Sequence, residues 1–197
     1  MDPVLEKLDL YSMPEGYNYT IGGELESRSD AFGGMTNAII IAVISILAVL
    51  VLQFKSIKQP LIVFVAIPFA FTGMIWALLI TGNTFSFTAF VGLTSLVGIV
   101  VNNSIILVDY INKLRERGET LNQALQNAAE IRLTPIVLTA LTTIGGLLPL
   151  TLRGGTIWAP MGWTIIGGLT VSTMLTLLIV PVTYKLIEAK SRNSIKS

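Results

Sequence analysis

Two adjacent asparagines and an aspartate interrupt an otherwise aliphatic stretch, Gly92 to Tyr110, GLTSLVGIVVNNSIILVDY. Amides and a carboxylate in such surroundings suit two kinds of chemistry: hydrogen bonding between helices, or passage of an ion or proton. A carboxylate near the centre of a bilayer costs about 2.5–3.5 kcal/mol on insertion scales, so polar groups at that depth turn toward a bundle interior or an ion path. At about 100° per residue, Ser95, Gly98, Asn102 and Asp109 fall within a sector about 60° wide, with Asn103 about 100° from Asn102. One narrow seam is polar or small, and the rest of the surface is Val, Ile and Leu.

A second polar row lies downstream. Arg132 and Thr139 are seven residues apart, hence on one helix face, and Thr142 and Thr143 carry the polar character further. Asn102, Asn103, Asp109, Arg132 and Thr139 are therefore the candidate relay residues. Each also has a plainer reading. Amides across membrane helices contribute about 0.6–2 kcal/mol per hydrogen bond as interhelical glue, and Asp109 can sit at the interface paired with Lys113 at i+4. An amide cannot titrate, and a proton relay needs a group whose pKa can be moved through ambient pH. These residues alone do not make a complete proton-coupled machine.

Hydrophobic residues are 52% of the chain, charged residues 13%, and the mean hydropathy is +0.73. Soluble domains carry about a quarter charged residues, so an integral membrane protein is implied. Without cysteine or histidine there is no disulfide framework and no soft metal site, and no cofactor is expected. No nucleophile, base and acid converge, which argues against a membrane enzyme. The net charge of +1 offers no basic surface for nucleic acid.

Five stretches reach the roughly 20 residues needed to cross a bilayer core: about 35–54, 61–80, 87–111, 135–152 and 161–186. Breakers separate them, including Lys55 to Pro60, the turn-like Thr81 to Thr84, and Arg153-Gly154-Gly155. With the N-terminus outside, ten of the thirteen Lys and Arg residues fall on the cytoplasmic side. A multi-pass membrane protein with a cytoplasmic tail at 188–197 follows. The acidic leader has no signal-peptide character, so the chain is expected to be the C-terminal piece of a longer polytopic protein.

Local signals add detail. Tyr17 to Ile21 alternates as a strand that would need a sheet from elsewhere, and Glu24 to Phe32 reads as a polar helical lead. Pro68 predicts a kink in the second span. Thr120 and Gln123 form a capping-box pattern ahead of an amphipathic helix, about 120–131, expected along the cytoplasmic interface. Gly168, Ser172 and Thr176, four apart, predict a close helix-packing row.

Taken in order, Gly92 to Tyr110, a cytoplasmic Gly-Glu-Thr helix, Arg132-Leu133-Thr134-Pro135-Ile136, Thr139, Gly145-Gly146 and Pro149 resemble the C-terminal membrane half of resistance-nodulation-division (RND) efflux transporters. Met13-Pro14-Glu15-Gly16-Tyr17 to Gly22 looks like the last strand of that family's periplasmic porter domain. The resemblance implies an all-α membrane fold of five helices, the eighth to twelfth of twelve, preceded by a short α/β piece of the porter domain at 1–34. It also implies a homotrimer in membrane lipid, with a periplasmic adaptor and outer-membrane channel in a Gram-negative cell, exporting drugs or amphiphiles by proton antiport. Metal or lipid export, and a protein-export accessory role, are the alternatives. In multidrug members an aspartate pair on the fourth helix works with a lysine on the tenth and an arginine and a threonine on the eleventh. Arg132 and Thr139 match the last two, Asn103 matches the asparagine after the lysine, and Asn102 stands where the lysine would be.

Overall fold

A computed structural model describes residues 24–194 as helices joined by short turns. The expected strand at 17–21 and the rest of the porter-domain piece before residue 24 lie outside the described residues. The chain divides into two compact units, Met1–Ala38 and Ile39–Ser197. In the first, the described residues are the helical lead from Glu24 onward. The second holds the remainder of α1 (Glu24–Phe54) and then α2 (Lys58–Phe64), α3 (Ala66–Thr81), α4 (Phe87–Glu116), α5 (Leu121–Arg153) and α6 (Gly155–Ser194).

Among the described residues four helical segments are long and apolar enough to cross a membrane: Lys58–Thr81, Phe87–Glu116, Leu121–Arg153 and Gly155–Glu188. The first of the five expected spans falls in α1, whose apolar part is the shorter stretch Ile39–Phe54. The second is broken at Val65, between α2 and α3. Pro68 causes the break, because it has no N–H to give the Phe64 carbonyl four residues back and its ring crowds that oxygen.

The interfacial helix expected at 120–131 and the span expected at 135–152 are one continuous helix, α5. Pro135 lies inside it without ending it, as prolines in membrane helices often do when local groups take up the freed backbone. The carbonyl that Pro135 leaves without its N–H is that of Ile131; one turn on, the Thr139 hydroxyl donates to the Pro135 carbonyl at 2.8 Å. At the start of α5, the Thr120 N–H and hydroxyl both donate to Gln123 Oε1, at 3.3 and 2.7 Å, so the predicted cap forms around that one oxygen.

α6 is the post on which the bundle is built, in contact with α2, α3, α4 and α5. Lipid supplies no hydrophobic drive for helices to associate, so the contact must come from close backbone approach at small residues. At the α3–α6 crossing a Cβ on Gly73 would come within 2.5 Å of the Gly167 carbonyl oxygen and 3.0 Å of Gly168 Cα. A Cβ on Gly168 would strike the Leu96 side chain and reach the Ala70 carbonyl at 3.0 Å. Further along, Gly92 of α4 meets the Met161 carbonyl, and Gly162 meets Thr151 of α5. Ser172 and Thr176 continue the buried α6 face beyond Gly168. Gly92–Met161, Leu96–Gly168 and Asn112–Tyr184 follow one another in order, so α4 and α6 run parallel.

Replacing Gly73 with Val forces α3 and α6 apart. We expect it to destabilise the protein by about 1–3 kcal/mol, the usual range for overpacking. Exposed Ile75→Val, two residues away, should leave stability unchanged. Thermal denaturation of the detergent-solubilised protein checks both.

Candidate functional site

The two asparagines part company on α4. Asn103 continues the buried stripe Leu96, Val100, Leu107 and Ile111, whereas Asn102 lies on the exposed side with Ser95 and Gly98. The register between α4 and α6, offset by 72 residues at Asn112 and Tyr184, sets Asn103 level with Leu175, next to the buried Thr176. Asn102 instead lines a groove of about 350 Å³ with Gly98 and Val101 of α4 and Ser45, Ile46 and Val49 of α1. The seam read from the sequence is therefore a stripe on α4 that lies away from the α6 core and, at Gly98 and Asn102, along the groove against α1.

α5 presents the second polar row in the same open manner, since only 11% of its most apolar stretch is buried. Thr139, Thr142 and Thr143 are tied to their own helix, each hydroxyl donating to a carbonyl three or four residues back at 2.8–2.9 Å. Hydroxyls bonded in this way carry no unsatisfied donor into lipid. Arg132 is held differently. Its guanidinium carbon stands 4.5 Å from the centre of the Tyr110 ring on α4, and its Nε is buried with no hydrogen-bond partner among the described residues. A cation over an aromatic face contributes about 0.5–2 kcal/mol depending on desolvation. One turn away, Asp109 pairs with Lys113 at 2.7 Å, the i+4 ion pair anticipated from the spacing. No hydrogen bond among the described residues joins Asn102 to Arg132 or Thr139.

A polar cluster that sequence reasoning did not single out lies at the end of the bundle where α2 and α5 begin and α4 ends. Gln59 and Asn112 exchange amide hydrogen bonds at 3.1 and 2.8 Å, and the Tyr184 hydroxyl donates to Asn112 Oδ1 at 2.8 Å. Three helices, α2, α4 and α6, meet on one carboxamide. Arg115 extends the cluster, donating to Glu188 at 3.4 Å and to the Glu119 carbonyl at 2.9 Å, while Asn127 donates to the Glu119 carboxylate at 2.9 Å. The signal was present in the sequence: Asn112 continues the helical spacing of Val101 and Val108, both buried. It was hidden because Asn112 and Gln59 sit in segments that composition marks as breakers.

The family model describing the AcrB/AcrD/AcrF family matches residues 3–188. The cobalt-zinc-cadmium resistance protein CzcA of Cupriavidus metallidurans is 37% identical over 185 residues, covering 92% of this chain and 17% of that protein. The swarming motility protein SwrC of Bacillus subtilis is 36% identical over 188 residues, 93% of this chain and 18% of its own. Multidrug resistance protein MdtC of Salmonella paratyphi A is 34% identical over 177 residues, 86% and 17%. A crystal structure of a heavy metal efflux pump superposes with a TM-score of 0.77 at 27% identity, over 95% of this chain and 19% of that one. The chain thus spans less than a fifth of the length of the relatives it matches.

Asn112→Leu strands the Gln59 amide and the Tyr184 hydroxyl together. It should cost about 1–3 kcal/mol for each group left unsatisfied, whereas Tyr184→Phe should cost about 1 kcal/mol. The Gln59→Leu/Asn112→Leu double variant should be less damaging than the sum of the single ones, because the second substitution removes the group that the first orphans. Thermal unfolding of the four variants completes the cycle.

Proposed function

The chain belongs to the AcrB/AcrD/AcrF family of RND permeases, and from that premise we propose that it supplies the C-terminal membrane segment of an inner-membrane exporter driven by proton entry. Its work is transport rather than catalysis. Its N-terminal end lies on the periplasmic side and its Lys- and Arg-rich end in the cytoplasm. The working unit is a homotrimer, joined in a Gram-negative cell by a periplasmic adaptor and an outer-membrane channel.

The observation that carries this reading is Arg132. The guanidinium is held on the Tyr110 ring by a side chain that is half-buried rather than enclosed, which leaves it able to meet an anion from beyond the bundle. The resemblance to multidrug members supplies that anion as a carboxylate on a helix outside these residues. When ionised, the carboxylate accepts from Arg132; when protonated, it loses the charge that holds it there. Asn102 serves both states, because its Nδ2 donates to an ionised carboxylate and its Oδ1 accepts from a protonated one. A lysine at that position would favour only the ionised form. Replacing it by an amide lowers the charge bias of the switch and leaves Arg132 as its fixed cation.

Drugs or other amphiphiles are the substrate class we favour, since the segment has no histidine or cysteine with which to pass soft cations. Metal export is the second reading, favoured by the resemblance to CzcA and to the heavy metal efflux pump. Everted membrane vesicles containing the full protein separate the two, with proton release followed on addition of a cationic amphiphile or of Zn²⁺ or Co²⁺. Arg132→Ala should cut proton-coupled flux by about tenfold or more, equivalent to about 1.4 kcal/mol. Asn102→Ala should flatten the pH dependence of flux, and an unchanged pH profile in that variant rejects a coupling role for Asn102.

A further inference from the structure

Among the described residues the Arg132 guanidinium has the Tyr110 ring for a partner, at 4.5 Å from its central carbon, and no hydrogen bond or ion pair. Carboxylates are nevertheless close by in the sequence. Asp109 is the residue before Tyr110 on α4, and Glu130 stands two positions before Arg132 on α5. Both are engaged elsewhere: Asp109 pairs with Lys113 at 2.7 Å, and Glu130 accepts from Gln126 Nε2 at 3.1 Å. Helical geometry keeps them apart from the contact, since Asp109 lies about 100° round α4 from Tyr110 and Glu130 about 160° round α5 from Arg132.

The kind of partner has an electrostatic consequence. A carboxylate beside a guanidinium cancels most of its charge and occupies its N–H donors, whereas an aromatic ring attracts the cation through its quadrupole and takes none of them. The ring fixes the cation without neutralising it. An arginine with no anchor spreads over many rotamers, and an arriving anion then has to order it. The anchor is itself held, because Tyr110 packs against the buried cluster that includes Val108, Ile111 and Leu114. Its hydroxyl makes no hydrogen bond among the described residues, so the aromatic face rather than the phenol is what the contact uses.

We propose that Tyr110 is a positioning residue for the coupling step: it holds the Arg132 guanidinium in place with its charge uncancelled, so that an anion from elsewhere in the protein meets a preformed cation. This rests on the reading of Arg132 as the fixed cation of the switch. A carboxylate in place of the ring would anchor the arginine equally well and spoil it for that task.

Proton-coupled flux in everted vesicles containing the full protein tests this, with ethidium or Zn²⁺ as the probe, whichever the wild type exports. Tyr110→Leu should lower flux about fivefold, a middling value for one cation–π contact, and Tyr110→Phe should retain it. Tyr110→Glu should lower flux about tenfold, as Arg132→Ala does, while its thermal midpoint in detergent shows that the fold is kept. In an Arg132→Ala background Tyr110→Leu should bring no further loss, since the ring acts through the guanidinium. Undiminished flux in Tyr110→Glu, equal losses in Tyr110→Phe and Tyr110→Leu, or a further fivefold or so loss in the Arg132→Ala background overturns the proposal. Full flux in Arg132→Ala removes the reading on which it rests, whereas loss in Arg132→Ala with none in Tyr110→Leu removes the role of Tyr110 alone.

Discussion

Everything in this bundle depends on how closely α3 and α6 approach at Gly73, Gly167 and Gly168. Within a bilayer, apolar side chains gain nothing by leaving lipid for one another, so dispersion contacts between near-touching backbones must hold helices together. Once α6 is seated there, the other contacts follow in register. Leu96 fills the space above Gly168, Gly92 meets Met161, and the same offset brings Asn112 to Tyr184 at the far end of the parallel pair. A side chain at the crossing would separate the backbones and dissolve that register along its length.

The bundle so fixed has two kinds of polar site. At one end Gln59, Asn112 and Tyr184 satisfy each other, Arg115 closes the turn between α4 and α5 through the Glu119 carbonyl, and its pair with Glu188 ties α4 to α6. Groups paired in this way hold helices in place. Along the open face Asn102 is exposed and Arg132 keeps a buried donor without a partner among the described residues. On the reading proposed above, the first site holds the frame and the second carries the moving charge.

Much of this was legible in the sequence. The apolar stretches gave four of the five expected spans as membrane-length helices among the described residues, Pro68 gave the break before α3, and the spacing of Asp109 and Lys113 gave their ion pair. The α4 stripe was legible as relative angles on one helix, whereas the neighbour it lies against, α1 at Asn102, was not, because a helical wheel does not fix the direction of neighbours. The continuity of α5 through Pro135 was hidden, since a proline after a polar run reads as a boundary until packing decides otherwise. Gly73 was passed over as one small residue in an apolar span; its meaning lies in Gly167 and Gly168, about ninety positions away, a partnership that local spacing does not encode.

The central claim is that the Asn102 face is completed by other parts of the protein into a hydrated ion path rather than turned to lipid. These 197 residues contain no cysteine, so a thiol placed in them is the only one they contribute. The most direct measurement is labelling of Asn102→Cys in the full protein, in its native membrane, with a small membrane-impermeant thiol reagent, against Ile75→Cys on the exposed apolar surface in the middle of α3. The account predicts that Asn102→Cys reacts and Ile75→Cys does not. Equal inertness at both positions would contradict it.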